Sequence, residues 1–341
     1  MGIGVLHGVL SRQFWDGIAR AGAREGSGSA LRNGVRVPNG LDGVPRGPLG
    51  IDEGIEVGVL LGVAAAVCWG LGDYFITNLT RRVGTAAALL SVQVLSLVAW
   101  LAVLAAAPTP LAATPGLWWL LAATAVCHVL GLAFVYRAFE VGTLSIVSPI
   151  SAGFAVVTAI LALGAGERPP AIALIGACLL VAGVFLATRV PSMSGTARPA
   201  LAGVPEALLS ALAFGTMFWL FYFYVQPKLG YAWPLVSLKA LAVGSTLVVF
   251  LRRRPAVAAA RRPNLGRLAM LAVAAAGADM LAWLAYIGGT TAAYATVVTA
   301  LASLFSVVTI LLAWAFLRER LATHQWIGVT VILGGILLVS L

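Results

Sequence analysis

Nine side chains stand inside stretches otherwise too apolar to hold them: Asp73, Asp279, His128, Lys239, Gln93, Tyr136, Tyr286, Trp69 and Trp283. Polar groups in such company are rare and expensive, so each is a candidate for ligand or proton handling. Asp73 follows Trp69 by one helical turn. Asp279 is followed by Trp283 and Tyr286 at i+4 and i+7, so acid and rings share one helix face. Aromatic rings beside a few directed hydrogen-bonding groups suit an amphipathic organic molecule. His128 exchanges protons near neutral pH, and a buried carboxylate gives a second route for coupling movement of a solute to protons. The alternative is purely architectural. Lys239 would then form a fixed ion pair with Asp279 or Asp73, and His128 would bond a backbone carbonyl.

These residues are carried by ten apolar runs, at 57–79, 84–107, 116–139, 143–163, 170–189, 202–226, 232–251, 265–288, 292–317 and 323–341. Of the 341 residues, 61% are hydrophobic and only 10% charged, too few to cover a soluble surface. A run of about 20 apolar residues crosses a bilayer as a helix, because lipid leaves the backbone no outside hydrogen-bond partner. The expected class is therefore an all-α, multi-pass protein of the cell membrane (inner or plasma), in contact with lipid. A membrane β-barrel is excluded, since Val57–Val67 and Val331–Val339 are apolar on every face where barrel strands alternate. The net charge of +10 comes from arginines in short loops, which fits anionic headgroups and gives no reason to expect nucleic acid. Cys68, Cys127 and Cys178 fall inside the runs without metal or disulfide spacing and read as buried small apolar residues. No metal or cofactor is expected. Trp118 and Trp119 open the third run as interfacial belt residues.

The chain repeats itself. Glu167-Arg168, Ile175-Gly176 and Gly183 recur 152 positions later as Glu319-Arg320, Ile327-Gly328 and Gly335. Ala66-Val67-Cys68-Trp69-Gly70 likewise resembles Ala211-Leu212-Ala213-Phe214-Gly215. Four regions follow: a glycine- and arginine-rich tail over 1–55, expected to be disordered; a first repeat over 56–190; a linker over 191–201; and a second repeat over 202–341. Each repeat holds five helices. Five is odd, so the second copy enters the membrane from the opposite side, and the ten helices form two inverted five-helix repeats with a site between them. Aligning Tyr136 with Tyr286 brings His128 within one position of Asp279, a titratable group at nearly equal depth in each half.

On the Trp69-Gly70 pair, the Glu-Arg pairs, and the Ile-Gly followed by Gly seven residues later, residues 57–341 resemble the drug/metabolite transporter superfamily, in its ten-helix EamA-type branch. The resemblance implies transport of a small molecule, often efflux, through a site between the two bundles. It also implies cytoplasmic termini. The charge count points the other way: Arg81, Arg82, Arg252, Arg253, Arg254, Arg261, Arg262 and Arg267 sit in odd loops, against little beyond Arg168 and Lys228 in even ones, which places odd loops inside.

The paired glycines recur at seven residues and line one helix face for close helix approach, a face that a homodimer would also use. Pro149, after Ser148, interrupts the fourth run. Glu167 and Glu319 read as structural acids at loop or helix starts. Gly70-Leu71-Gly72-Asp73 matches the G-x-G-D of intramembrane aspartyl proteases, with Asp279 as second acid, but the preceding Tyr-Asp helix is missing and Pro199-Ala200-Leu201 lies in the linker. Catalysis is not expected. The expected function is alternating-access secondary transport of a small organic metabolite or drug-like compound, in the export direction and coupled to protons. A non-transporting membrane sensor or interaction protein is the alternative.

Overall fold

The computed structural model describes residues 53–108, 114–141, 150–188, 202–252, 264–308, 311–312 and 323–339. The tail up to Asp52, Ser148-Pro149, the linker and the Glu319-Arg320 pair lie outside the described residues. Among the described residues the regular structure is helical. The helices are α1 (Glu53–Val83), α2 (Thr85–Ala106), α3 (Pro115–Val141), α4 (Phe154–Gly164), α5 (Ala171–Thr188), α6 (Val204–Leu229), α7 (Ala232–Arg252), α8 (Leu265–Ala292), α9 (Ala295–Ala302) and α10 (Thr323–Val339). Six of them, α1, α2, α3, α6, α7 and α8, are long and apolar enough to cross a membrane; α4, α5, α9 and α10 are shorter apolar helices.

Helix ends follow local chemistry. Gly84 and Gly230 sit at φ of 83° and 65° with extended ψ, a positive-φ conformation open to glycine that reverses the chain after α1 and after α6. Asn264 caps α8, its side chain accepting from the Arg267 N–H at 3.1 Å. The second half of α6 departs from the α-helical ladder: Phe221–Val225 form a π-helical turn. Pro227 follows after Gln226, and its ring cannot donate to, and crowds, the carbonyl four residues back. Helix α1 starts at Glu53, four residues before the apolar run predicts, because helix continues past the edge of the hydrophobic pattern.

The packing is two-fold in pattern. Helix α1 lies along α8 and α3 along α6; α1 also meets α9, and α6 meets α4; α2 meets α8, and α7 meets α3. Exchanging the two halves converts each member of these couples into the other. The pairs α2–α7, α4–α9 and α5–α10 map onto themselves. Glycines permit the closest approaches. A Cβ on Gly70 would stand 2.7 Å from Val308 Cβ and 2.9 Å from the Phe305 carbonyl; on Gly215 it would stand 2.5 Å from Val157 Cβ and 2.8 Å from the Phe154 carbonyl. The equivalent contacts, in α4 and just beyond α9, are thus 151 residues apart, one fewer than the offset between the Glu-Arg pairs. Gly183 approaches the Gly328 carbonyl and Gly335 the Gly176 carbonyl, each at 2.9 Å from an added Cβ. The glycine faces expected to mediate helix contact therefore meet each other within the chain, at the α5–α10 crossing. Cys68 and Cys127 are half-buried, but Cys178 is exposed, which corrects the expectation that all three are buried. It points away from the α5–α10 crossing, where the small residues lie. Trp118 and Trp119 are exposed at the start of α3, the placement expected of belt residues.

Candidate functional site

Two clusters occupy the interior, one aromatic and one polar, stacked along α1 and α8. The stacking follows from spacing. Trp69 and Asp73 lie one turn apart on α1, and Asp279, Trp283 and Tyr286 line successive turns of α8. Trp69 sits at the centre of the aromatic cluster, with ring centroids 5.9 Å from Phe218, 5.7 Å from Trp283 and 5.9 Å from Tyr286. Phe218 approaches Tyr286 at 4.8 Å and stacks on Trp283 at 5.6 Å; Phe221, in the π turn, reaches Trp283 at 5.3 Å. Phe154 of α4 stacks on Phe218 at 5.3 Å and on Phe305, just beyond α9, at 6.3 Å. Phe154 and Phe305 are themselves 151 residues apart, so an equivalent pair meets itself across the repeat. Tyr286 is fully buried, and its hydroxyl bonds Thr299 Oγ1 at 2.9 Å.

The polar cluster draws on α1, α2, α3, α7 and α8. Lys239, 2% exposed, places Nζ 2.7 Å from Asp279 Oδ2, and the Ser96 hydroxyl donates to the same oxygen at 3.2 Å. The sequence left open whether Lys239 pairs with Asp279 or Asp73; the partner is Asp279. Asp73 lies within electrostatic range of Asp279 and of Tyr136, and His128 within range of Lys239. His128 is buried on α3, its ring edge-on to Phe214 at 6.0 Å, and neither ring nitrogen meets a protein hydrogen-bond partner among the described residues. The backbone carbonyl bond proposed for it as an architectural role is not made. Gln93 is buried on α2, and its Oε1 likewise has no partner. A buried polar atom without a partner is expensive, so these three atoms are open valences facing the interior. Gln93 and Lys239 are also equivalents. They lie 146 residues apart, the offset between the positive-φ Gly84 and Gly230. The second repeat carries an ion pair, Lys239–Asp279, where the first carries Gln93 and His128.

Trp69, Trp283 and Tyr286 lie in the aromatic cluster and Lys239 and Asp279 in the polar one; Asp73 and His128 lie within electrostatic range of the latter, Tyr136 is half-buried within range of Asp73, and Gln93 is buried on α2 one turn before Ser96. Sequence reasoning missed Ser96, Phe218, Phe221, Phe154 and Thr299. Ser96 follows Gln93 by one turn and was findable. The phenylalanines are indistinguishable in sequence from ordinary lipid-facing apolar residues.

Glu167, read from sequence as a structural acid at a loop or helix start, holds a helix of the other repeat. It lies in the turn between α4 and α5, outside the apolar helices, yet it is 4% exposed. It accepts from the N–H of Ala295 at 2.6 Å and of Thr296 at 3.0 Å, and from the Thr296 hydroxyl. The carboxylate therefore caps α9 from the other repeat, an anion at the positive end of a helix. Burial pushes its carboxyl above the ordinary range, against the three hydrogen bonds, which pull it down. The start of α1 lies at the same end, Gly54 and Gly58 against Ala292 and Ala293.

The fold and the site define a polytopic helical membrane protein of two like halves that enclose a polar and aromatic interior. Its sequence matches the EamA-like transporter family twice, over residues 56–189 and 204–341. The chain belongs to the EamA-like transporter family, within the drug/metabolite transporter superfamily, and is a membrane transporter. No curated protein matches it. Among solved structures, a crystal structure titled only as that of a protein is similar in fold, with a TM-score of 0.62, 17% identity, and coverage of 83% of this chain and 98% of that one.

Proposed function

We propose that the chain is a ten-helix secondary transporter of the cell membrane that exports a small organic metabolite or drug-like compound by alternating access, with proton coupling through Asp73, Asp279 or His128. The observation that carries this reading is the convergence of Gln93, His128, Lys239, Asp279 and Asp73 from five helices of both halves, directly beside the Trp69–Trp283–Tyr286 cluster. The two repeats are inverted in this reading, and the two-fold pattern of helix pairings supports it. The ligand stacks its apolar body on the aromatic rings and satisfies the open valences of Gln93 and His128 with its polar end. Movement then exchanges which end of the bundle is closed. Asp279 is engaged by Lys239 and Ser96 rather than by Asp73, an arrangement unlike two acids sharing a proton to activate water, which speaks against proteolysis.

The test is a thermal-stability screen of purified protein against metabolites and cationic drugs at about pH 6 and pH 8, which bracket an ordinary histidine, followed by flux into proteoliposomes. A compound that binds the native state raises the melting temperature. The reading expects one chemical class to shift the wild type, to lose its effect in His128→Ala and Gln93→Ala, and to move across the membrane. A bound compound whose effect survives both substitutions refutes the site. Binding without flux for every bound compound refutes transport and favours a sensor.

A further inference from the structure

The capping of α9 by Glu167 does not end at the helix terminus. Ala295 and Thr296, which bond the carboxylate, begin α9; Thr299 lies one turn further on and holds the Tyr286 hydroxyl at 2.9 Å. Tyr286 in turn stands between Trp69 and Phe218, at 5.9 Å and 4.8 Å. An unbroken series of hydrogen bonds and one rigid helical turn therefore joins the α4–α5 turn of the first repeat to the aromatic cluster. The series passes through the second repeat. The remaining groups around Glu167 cannot replace this contact. Arg168 is exposed, and α4, α5 and α9 bring no basic side chain among their described residues. The phenols of Tyr222, from the π turn, and Tyr286 lie within electrostatic range of Glu167; Glu56 lies on the first turns of α1, at the same end.

We infer that Glu167 is a positioning residue for the binding site: by holding the first turn of α9 it sets the place of Thr299, and through it the orientation of Tyr286 against Trp69 and Phe218. A carboxylate suits this role because it accepts several bonds at once from one helix terminus, where its charge also meets the helix dipole. Displacement of the α4–α5 turn then reaches the aromatic cluster as a change in Tyr286, so closure of this end of the bundle and the shape of the site change together. The inference rests on the site proposed above, but its test needs no substrate.

A single 3-fluorotyrosine at position 286 of the full-length protein, in detergent, reports the phenol by fluorine NMR. A second sample labelled at Tyr231, whose ring meets Trp100, serves as the comparison position. Amide exchange at Ala295 and Thr296 reads the cap itself. In Glu167→Ala those amides are expected to exchange faster by about tenfold or more, and the Tyr286 resonance to shift or broaden while Tyr231 stays in place. Glu167→Gln keeps one acceptor and nearly the same shape, so it should give a smaller displacement in the same direction; this variant carries the test if the alanine form does not fold. Thr299→Val cuts the series at its far end and should move Tyr286 while the two amides remain slow. An unmoved Tyr286 resonance in Glu167→Gln or Glu167→Ala, with faster exchange at the cap, overturns the inference and leaves Glu167 a local helix cap. Because no flux is measured, a displaced Tyr286 in a protein that transports nothing sinks the transport reading and not this one.

Discussion

Replacing Asp279 by Asn should be among the most damaging single changes in this chain, and replacing Lys239 at the same time should undo most of the damage. The Lys239 side chain is 3% exposed and its ammonium sits 2.7 Å from Asp279 Oδ2. At an effective dielectric of about 20, two unit charges at that separation attract by roughly 6 kcal/mol. Desolvating both offsets much of this, so the intact pair adds little beyond what two apolar residues of similar volume would. Removing Asp279 is different, because it strands the Lys239 ammonium, 3% exposed, and costs about 3–5 kcal/mol. Asp279→Asn should lower the unfolding free energy by that amount and Lys239→Met by less, because the stranded Asp279 carboxylate is 21% exposed, and the double variant should lie within about 1.5 kcal/mol of wild type. A double-mutant cycle read by unfolding in mixed micelles measures the coupling directly. If both single variants lie within about 1 kcal/mol of wild type, the pair behaves as a solvated surface bridge does. The interior described above would then be wet and open, not closed around the ion pair.

Three further outcomes follow from the packing. Gly183→Ala and Gly335→Ala should each destabilise by about 1–3 kcal/mol, since each new methyl meets backbone atoms at 2.9 Å, whereas Gly244→Ala, with open space around it, should be neutral or stabilising; unfolding free energies would expose any reversal of that order. Tyr286→Phe removes a buried hydroxyl and strands Thr299 Oγ1, for a loss of about 1–3 kcal/mol by the same assay, and a change smaller than about 0.5 kcal/mol would mean the contact is not formed. Glu167 gives a pH dependence of definite sign. Its folded carboxyl is raised, so the folded chain keeps the proton to higher pH than the unfolded chain does. Its contribution is therefore present below the ordinary glutamate range and is lost as pH rises through the raised value. The stability difference between wild type and Glu167→Gln should fall with increasing pH across that window, and a difference that grows instead would contradict the dominance of burial.

The helices were legible because lipid imposes one rule on the backbone and the apolar runs obey it: Thr85–Ala106 and Ala232–Arg252 lie within a residue or two of the runs drawn from sequence. The polar members of the interior were legible for the complementary reason, that Lys239 or His128 in such a run has few places to be. Pairing was not. Asp279 and Asp73 are equally acidic and equally embedded in sequence, and only the approach of α7 to the helices beside it selects the first. Glu167 was legible as a structural acid but its partner was not, because its surroundings, Gly166 before it and Arg168-Pro169-Pro170 after it, carry no sign of what it holds. What buries it is Ala295 and Thr296, 128 and 129 residues away. The π turn has no signature in hydrophobic period, since Phe221–Val225 are apolar or aromatic throughout.

That turn also reconciles two halves of unequal length. From the packing glycine Gly70 to the positive-φ Gly84 the chain counts fourteen residues; from Gly215 to Gly230 it counts fifteen. One residue added to a regular helix would rotate everything beyond it by about 100°, swinging Gly230 away from its turn or Gly215 away from Val157. Widening a single turn absorbs the surplus, and both glycines keep their places. The two halves thus differ by one residue over this stretch and still keep equivalent glycine contacts at both ends, and the widened turn carries Phe221 to Trp283 at 5.3 Å.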